Sequence, residues 1–384
     1  MSGDSPRRIW LAVSAMFAFN GSLYGAWASR IPALQDRLDI SHGTLGLLLL
    51  GLAGGAICAF PLAGRAVDRR GAAPVTRWLG VMNGLAMILL PWMGGIWGVA
   101  AVLVLFGAAH GAMDVAMNAW GAEAEKRLSR VWMPGFHAMF SLGAGIGALS
   151  GFAAASAGID MTWHFLSAVL SFGVPAFWLA NVIWQSETAE SSTGSGFALP
   201  TGALVLVGLC AFCSSLGEGA VADWSAVYLR DVTQVSEAQA ALGYAVFSVA
   251  MVLLRFSGGP VIARLGPVLA LRLSGASAAL GLALAVGVPV YGAALVGFVF
   301  MGFGYALVFP LAFSRAASDG RVPPGQAIAG VATLGYGGLL LGPPIIGALA
   351  QATSLRGSFL FLLGLALIMG ALAPVLRPAT GSKS

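Results

Sequence analysis

Gly64-Arg65-Ala66-Val67-Asp68-Arg69-Arg70-Gly71 and Gly259-Pro260-Val261-Ile262-Ala263-Arg264-Leu265-Gly266 are the two stretches on which the reading of this chain turns. They lie 195 positions apart, and Gly, Arg and Gly recur in register at 64/259, 69/264 and 71/266. Asp68 is replaced by Ala263 in the second copy. A similar shift brings Ala26-Trp27-Ala28-Ser29 onto Asp223-Trp224-Ser225-Ala226. The chain therefore reads as a duplicated unit, each copy carrying the same connection between its second and third elements.

Composition says what those elements are. Of 384 residues, 58% are apolar and only 9% are Asp, Glu, Lys or Arg, against about 25% charged in an ordinary soluble domain. The mean hydropathy of +0.86 fits helices that are apolar all round and not on one stripe. Runs this long and unbroken exclude a transmembrane barrel, whose strands alternate. The sequence predicts twelve spans near 9–31, 44–63, 73–93, 97–121, 133–157, 161–184, 200–228, 238–257, 267–287, 290–314, 326–350 and 356–376. Twelve spans of about 20 residues take roughly 240 positions, which leaves no room for a large soluble domain. The longest polar connection, 185–196, is rich in Ser, Thr, Gly and Glu and has linker composition. The expected organisation is an all-α membrane protein: an N-terminal six-helix half over 1–184, a cytoplasmic linker over 185–199 and a C-terminal six-helix half over 200–384. Duplicated six-helix halves are what several transporter folds are made from.

Basic residues test count and orientation together. With both termini cytoplasmic, 16 of the 20 Lys and Arg fall on the inner side, Arg255 and Arg315 among them, and only Arg30, Arg37, Arg230 and Arg356 on the outer. That bias is the positive-inside rule, and it puts both termini on the cytoplasmic side. The opening run Ile9–Ile31 is too long for a signal h-region and reads as the first span. The net charge of +5 is dispersed over short connections, so no nucleic-acid partner is expected. Cys210-x-x-Cys213 lies in an apolar run without the strand–helix context of a redox site. No His, Cys and carboxylate set has metal-site spacing, and no Gly-x-x-x-x-Gly-Lys-Ser/Thr binds a nucleotide. The expected partners are a small-molecule substrate and the lipid bilayer, the working unit a monomer, and the energy source the proton gradient, with no cofactor.

The pattern Gly64-x-x-x-Asp68-Arg69-x-Gly71 between the second and third spans resembles the signature of the major facilitator superfamily. That resemblance implies a two-half bundle working by alternating access, with Gly64, Asp68, Arg69 and Gly71 as a conformational latch. Two departures stand out: Ala72-Ala73-Pro74 follow where a basic pair is usual, and the fourth span lacks the Arg of many proton antiporters. The fourth span instead carries Gly107-x-x-x-Gly111-x-x-Asp114-x-x-x-Asn118, similar to the fucose-permease-type proton symporters. Asp114-Val-Ala-Met-Asn118, Phe136-His137-Ala-Met-Phe140-Ser141-Leu-Gly143 and Glu218-x-x-x-x-Asp223-Trp224-Ser225 resemble the YbjJ-type branch of bacterial inner-membrane proteins.

The polar residues inside the spans carry the candidate chemistry. A carboxylate at a span centre costs about 2.5–3.5 kcal/mol, so Asp114, Glu218 and Asp223 need partners, protonation or a task. All three are candidates for proton coupling. His110, Asp114 and Asn118 share one helical face; they either cement the fourth span to a neighbour or line a cavity with Asp114 as proton site. Glu218 lies between Gly217 and Gly219, which would permit a bend. Asp223 is either a functional acid or a rim carboxylate paired with Arg30 or Arg230. Asn20, Tyr24, Trp27, His110, Asn118, His137, Phe140, Trp224, Tyr305 and Tyr336 are the candidate substrate contacts, although aromatic residues in spans commonly serve packing. The glycines 143, 145, 147 and 151 of the fifth span would allow close helix approach, and Pro343-Pro344 would bend the eleventh. Asp68 is expected to accept hydrogen bonds at the start of the eleventh span, near Gln326, when the cytoplasmic side is closed.

Taken together, the residues point to a secondary active transporter, with proton-coupled symport of a small polar or sugar-like solute as first reading. Efflux of amphipathic compounds and a non-transporting sensor or scaffold are the alternatives. An enzyme would need a nucleophile or metal constellation that the sequence lacks.

Overall fold

The computed structural model describes residues 5–130, 132–186, 200–322 and 324–377; most of the expected linker lies outside them. The described residues form thirteen α-helices. They are α1 (Pro6–Ser29), α2 (Ile31–Leu38), α3 (His42–Arg70), α4 (Ala72–Leu89), α5 (Ile96–Leu128), α6 (Met133–Ser156), α7 (Met161–Ala180), α8 (Ala203–Thr233), α9 (Glu237–Gly287), α10 (Tyr291–Tyr305), α11 (Val308–Ala317), α12 (Pro324–Ala352) and α13 (Leu355–Ala371). Ten helical segments, with α10 and α11 as one, are long and apolar enough to cross a membrane, and α13 is a shorter apolar helix. Because α9 doubles back at Gly266, the chain makes twelve passes. The twelve-span reading holds.

The two quoted stretches are not loops. Residues 64–70 are the last two turns of α3, and the reversal into α4 happens at Gly71 alone, at φ 86. Gly266 does the same inside α9 at φ 73, with helix on both sides. A side chain is strained at such a φ, so the second glycine of each copy is the hinge of its reversal. The repeat read in the sequence is a repeated helix–glycine–helix corner.

Ser5, Ser41, Asp160, Ser236 and Ser354 cap their helices, satisfying amides that the first turn leaves free. Asp160 accepts from the main-chain N–H of Thr162 (2.7 Å) and Trp163 (3.1 Å); these bonds to the charged form hold its carboxyl below the usual range.

The helices split into two bundles. Within the first, α1 and α6 touch main chain to main chain: a methyl added at Gly21, Gly25, Gly143 or Gly147 would collide with the carbonyl of Phe140, Ala144, Ala18 or Ser22 respectively. Gly151 faces Ser29 of α1, whereas Gly145 points the other way, towards Ser248 of α9. The expected glycine stripe is thus divided between two neighbours. The bundles meet chiefly along α6 with α9 and α3 with α12, the latter where Gly46 meets Pro343 and Gly347. Pro343 and Pro344 lie inside α12, which continues through them.

Two features differ from the sequence reading. The eight-residue α2 follows α1 at once, closed by Asp39 at φ 49. The tenth pass is interrupted at residues 306–307, between α10 and α11. Hereafter the termini end is that carrying residues 6–10 and 64–72, and the far end that carrying α2.

Candidate functional site

The candidate residues gather between the two bundles, contributed by α1, α5 and α6 on one side and by α8, α9 and α12 on the other. The α5 stripe is formed as expected. The Asn118 side-chain amide donates to the main-chain oxygen of Asp114 (2.8 Å) and to its Oδ1 (3.3 Å), and both residues are half-buried. Among the described residues Asp114 has no cationic partner. His110, one turn away, stacks obliquely on Tyr24 at 5.1 Å between ring centroids and lies 6.1 Å from Phe140.

Opposite the stripe, Glu218 meets a cation that the sequence reading left on the inner surface. Arg255 lies within the first arm of α9, eleven residues before Gly266. Its Nη2 reaches Glu218 Oε1 at 3.4 Å, and its Nη1 donates to Ser141 Oγ on α6 at 2.6 Å. The Arg255 side chain is 17% exposed and that of Glu218 27%. Its place beside Gly259-Pro260 reads as a helix flank in sequence, yet α9 continues past those residues. Arg315, likewise counted with the inner surface, is buried in α11 and bound to Asp319 at 3.0 Å.

Asp223 is buried and accepts the Tyr24 hydroxyl at 2.7 Å, a bond between the halves. The alternative pairing with Arg30 or Arg230 does not form. Arg30 binds Glu237 (3.3 Å) and the Ile159 carbonyl (2.8 Å), its basicity lowered by burial. Arg230 holds Asp231 (2.6 Å), Asp36 (2.7 Å), the Pro32 carbonyl (2.9 Å) and Gln35 (3.0 Å). His42 on α3 adds a link to Asp231 at 2.8 Å. The far end is thereby tied across the two halves.

Among the other candidates, Tyr336 is 38% exposed on α12, edge-on to Phe60. His137 is exposed on α6 and Phe140 half-buried. Four candidates do not face open space. Asn20 is fully buried and accepts from the Asn83 amide at 2.9 Å; its partner is an amide on α4 that the sequence reading passed over. Trp27 is fully buried, edge-on to Phe106. Trp224 is fully buried near His42. Tyr305 is buried against Gly217, where a Cβ would strike its ring. Gly217 therefore makes room for Tyr305, and α8 runs without a break through Gly217 and Gly219, in place of the expected bend.

At the termini end Arg69 is exposed and Asp68 half-buried. Among the described residues Asp68 makes no hydrogen bond or ion pair, and no group of three His, Cys or acidic residues is placed to hold a metal.

Comparison with known proteins decides the family. The chain is 44% identical over 372 residues to the uncharacterized transporter y4wD of Sinorhizobium fredii, covering 96% of this chain and 98% of that protein. An uncharacterized transporter of the major facilitator superfamily type from Yersinia pestis is 35% identical, over 90% of this chain and 91% of its own. The chain belongs to the major facilitator superfamily. Residues 207–384 match the sequence pattern of the Major Facilitator Superfamily directly. Among solved structures, a point mutant of the nucleoside transporter NupG superposes with a TM-score of 0.77 at 11% identity, covering 96% of this chain and 100% of that one. A bacterial homologue of the human lysosomal transporter Spinster, inward-facing and unoccupied, gives 0.73 at 15% identity, over 98% of each chain. At those identities the likeness is one of fold. As a member of this superfamily the chain is a multi-pass membrane transporter and not an enzyme.

Proposed function

We propose that this transporter is a proton-coupled symporter of a small polar or sugar-like solute. It works by alternating access in a bacterial inner membrane, with both termini cytoplasmic and the proton gradient as its only energy source. The observation that carries the reading is the half-buried Asp114 carboxyl, which among the described residues has an amide but no cation beside it, in a site built from both halves. A carboxyl so placed has no opposite charge to balance it, and it gains or loses a proton when water reaches it from one side or the other. Asn118, one turn on, couples its charge state to whatever occupies the space between α5 and α12. With termini inside, the tied far end is periplasmic and the state is inward-facing. Asp68, without a partner among the described residues, would then latch onto the start of α12 near Gln326 in the opposite state.

The test is uptake into proteoliposomes from a panel of labelled sugars and polyols, with and without an inward proton gradient. At least one solute should accumulate, and a protonophore should abolish the accumulation. Asp114→Asn should lose accumulation yet keep solute exchange, which needs no net proton movement. If Asp114→Asn still concentrates solute with normal pH dependence while Glu218→Gln does not, Asp114 is not the site. If no solute responds to the gradient, proton coupling fails.

A further inference from the structure

The Arg255–Glu218 contact is looser than the contacts that hold Arg230. Arg230 makes four bonds of 2.6–3.0 Å, close to the lengths expected for charge-assisted pairs. Arg255 has one short bond, to the neutral Ser141 hydroxyl, and a 3.4 Å approach to a single oxygen of Glu218. A guanidinium offers five N–H donors in a planar fork suited to a bidentate carboxylate; here that fork is half used. Both side chains of the pair keep part of their surface open.

From this we infer that the transported solute carries a carboxylate, which takes the place of Glu218 on Arg255. The inference rests on the proton-coupled reading, names its substrate class, and adds Glu218 to Asp114 as a second group that takes up a proton in the cycle. In this structure Glu218 is the counter-ion of Arg255. When Glu218 takes a proton from solution its negative charge is lost, and Arg255 keeps its bond to Ser141 but is left without a counter-charge. An entering carboxylate restores it: one proton and one anion arrive together and the net charge of the site is unchanged. Proton loading and anion binding then favour each other by the same factor. The charged and titratable groups around the pair are His137 on α6, Tyr24 on α1, Asp223 and Cys213 on α8, Tyr244 on α9 and Tyr305 on α10. Asp223 is engaged by Tyr24, and Arg255 is the one cation among them. Ser141 sets the geometry: it holds one arm of Arg255 against the first half, so an anion bound there contacts both halves.

The experiment is thermal unfolding of the purified full chain in detergent at pH 6 and pH 8. Glucuronate, gluconate and lactate are compared with glucose, glucitol and glucosamine. A carboxylate should raise the midpoint, more at pH 6 than at pH 8, while its neutral or amine counterpart does not. Titration of that carboxylate should show affinity weakening by about tenfold per pH unit where one proton is taken up per anion. Glu218→Gln, which mimics the protonated acid, should keep the binding and lose its pH dependence. Arg255→Lys should bind more weakly, and Arg255→Gln should not bind. Because Arg255→Gln leaves Glu218 alone in an apolar site, the double variant Arg255→Gln/Glu218→Gln serves as the folded control and should also fail to bind. Stabilisation by glucose, glucitol or glucosamine and by no carboxylate overturns the inference while leaving proton-driven transport standing. A carboxylate that still binds the double variant, or a panel in which no carboxylate stabilises the protein, overturns it equally.

Discussion

The two ends of the bundle are built from the same duplicated elements and are held in opposite ways. At the far end Arg230, Asp231, His42, Asp36 and Gln35 join α8 to α2 and α3, and Arg30 reaches Glu237. At the termini end Arg255 joins the halves through Ser141, and Asp68 stands without a partner among the described residues. The difference places most of the polar bonds between the halves at the far end, and on the alternating-access reading proposed above they belong to one state and not to the fold. Each half is held together by apolar and glycine packing, and the ion pairs tie the far end.

Arg230→Ala should break that asymmetry most. It removes bonds to three other residues of the first half and leaves Asp231 with His42 alone. On the order of 2 kcal/mol shifts the two-state ratio roughly thirtyfold towards the state open at the far end. Labelling of a single cysteine placed in the far-end half of α8 should rise accordingly; unchanged labelling would show that the ties are not what holds this end. Asp68→Ala should act in the reverse direction and more weakly, by about 1 kcal/mol, because the bond it removes forms only when the termini end closes. Cysteines on the termini-end half of α12 should become more reactive, and equal reactivity on both faces would remove the latch. His42→Gln should move the ratio the same way as Arg230→Ala but by no more than ~0.5 kcal/mol, as its pair with Asp231 is about a quarter exposed on each side. The smallest effect concerns pH. The folded state holds the Asp160 carboxyl below its ordinary range, so its capping contribution is present at neutral pH. It is lost as pH falls through the depressed value. Asp160→Asn keeps an Ncap acceptor without the charge and should flatten the acid limb of a thermal-stability profile. An unchanged acid limb would exclude Asp160 as its origin.

Much of the fold was legible in the sequence because hydropathy and glycine do not depend on what lies across the bundle. Gly71 and Gly266 mark the two corners whatever they pack against, and the long apolar runs fix the number of passes. The second helix escaped because eight residues with Pro32, Gln35, Asp36 and Arg37 look like a polar connection. The candidate site was legible residue by residue on α5, where His110, Asp114 and Asn118 are local neighbours. Partners across the bundle were not: Tyr24 and Asp223 are 199 positions apart, and nothing local tells Tyr24 to leave the wall. Arg255 was misplaced because a charge next to Gly-Pro resembles the end of a span, and only the continuation of α9 to Gly266 puts it inside. Asn83 is a lone amide in an apolar run, whose meaning appears only when Asn20 is set beside it.

The contact between α1 and α6 carries a consequence for what this sequence tolerates. Gly21, Gly25, Gly143 and Gly147 each sit against a main-chain carbonyl of the other helix, and main chain has no rotamer with which to yield. In a saturation library these four positions should form a ladder of intolerance as strict as that of the acids in the site. Even alanine should be rejected, though none of the four touches the space between the halves. The two helices would read, in such a map, as a single rigid beam.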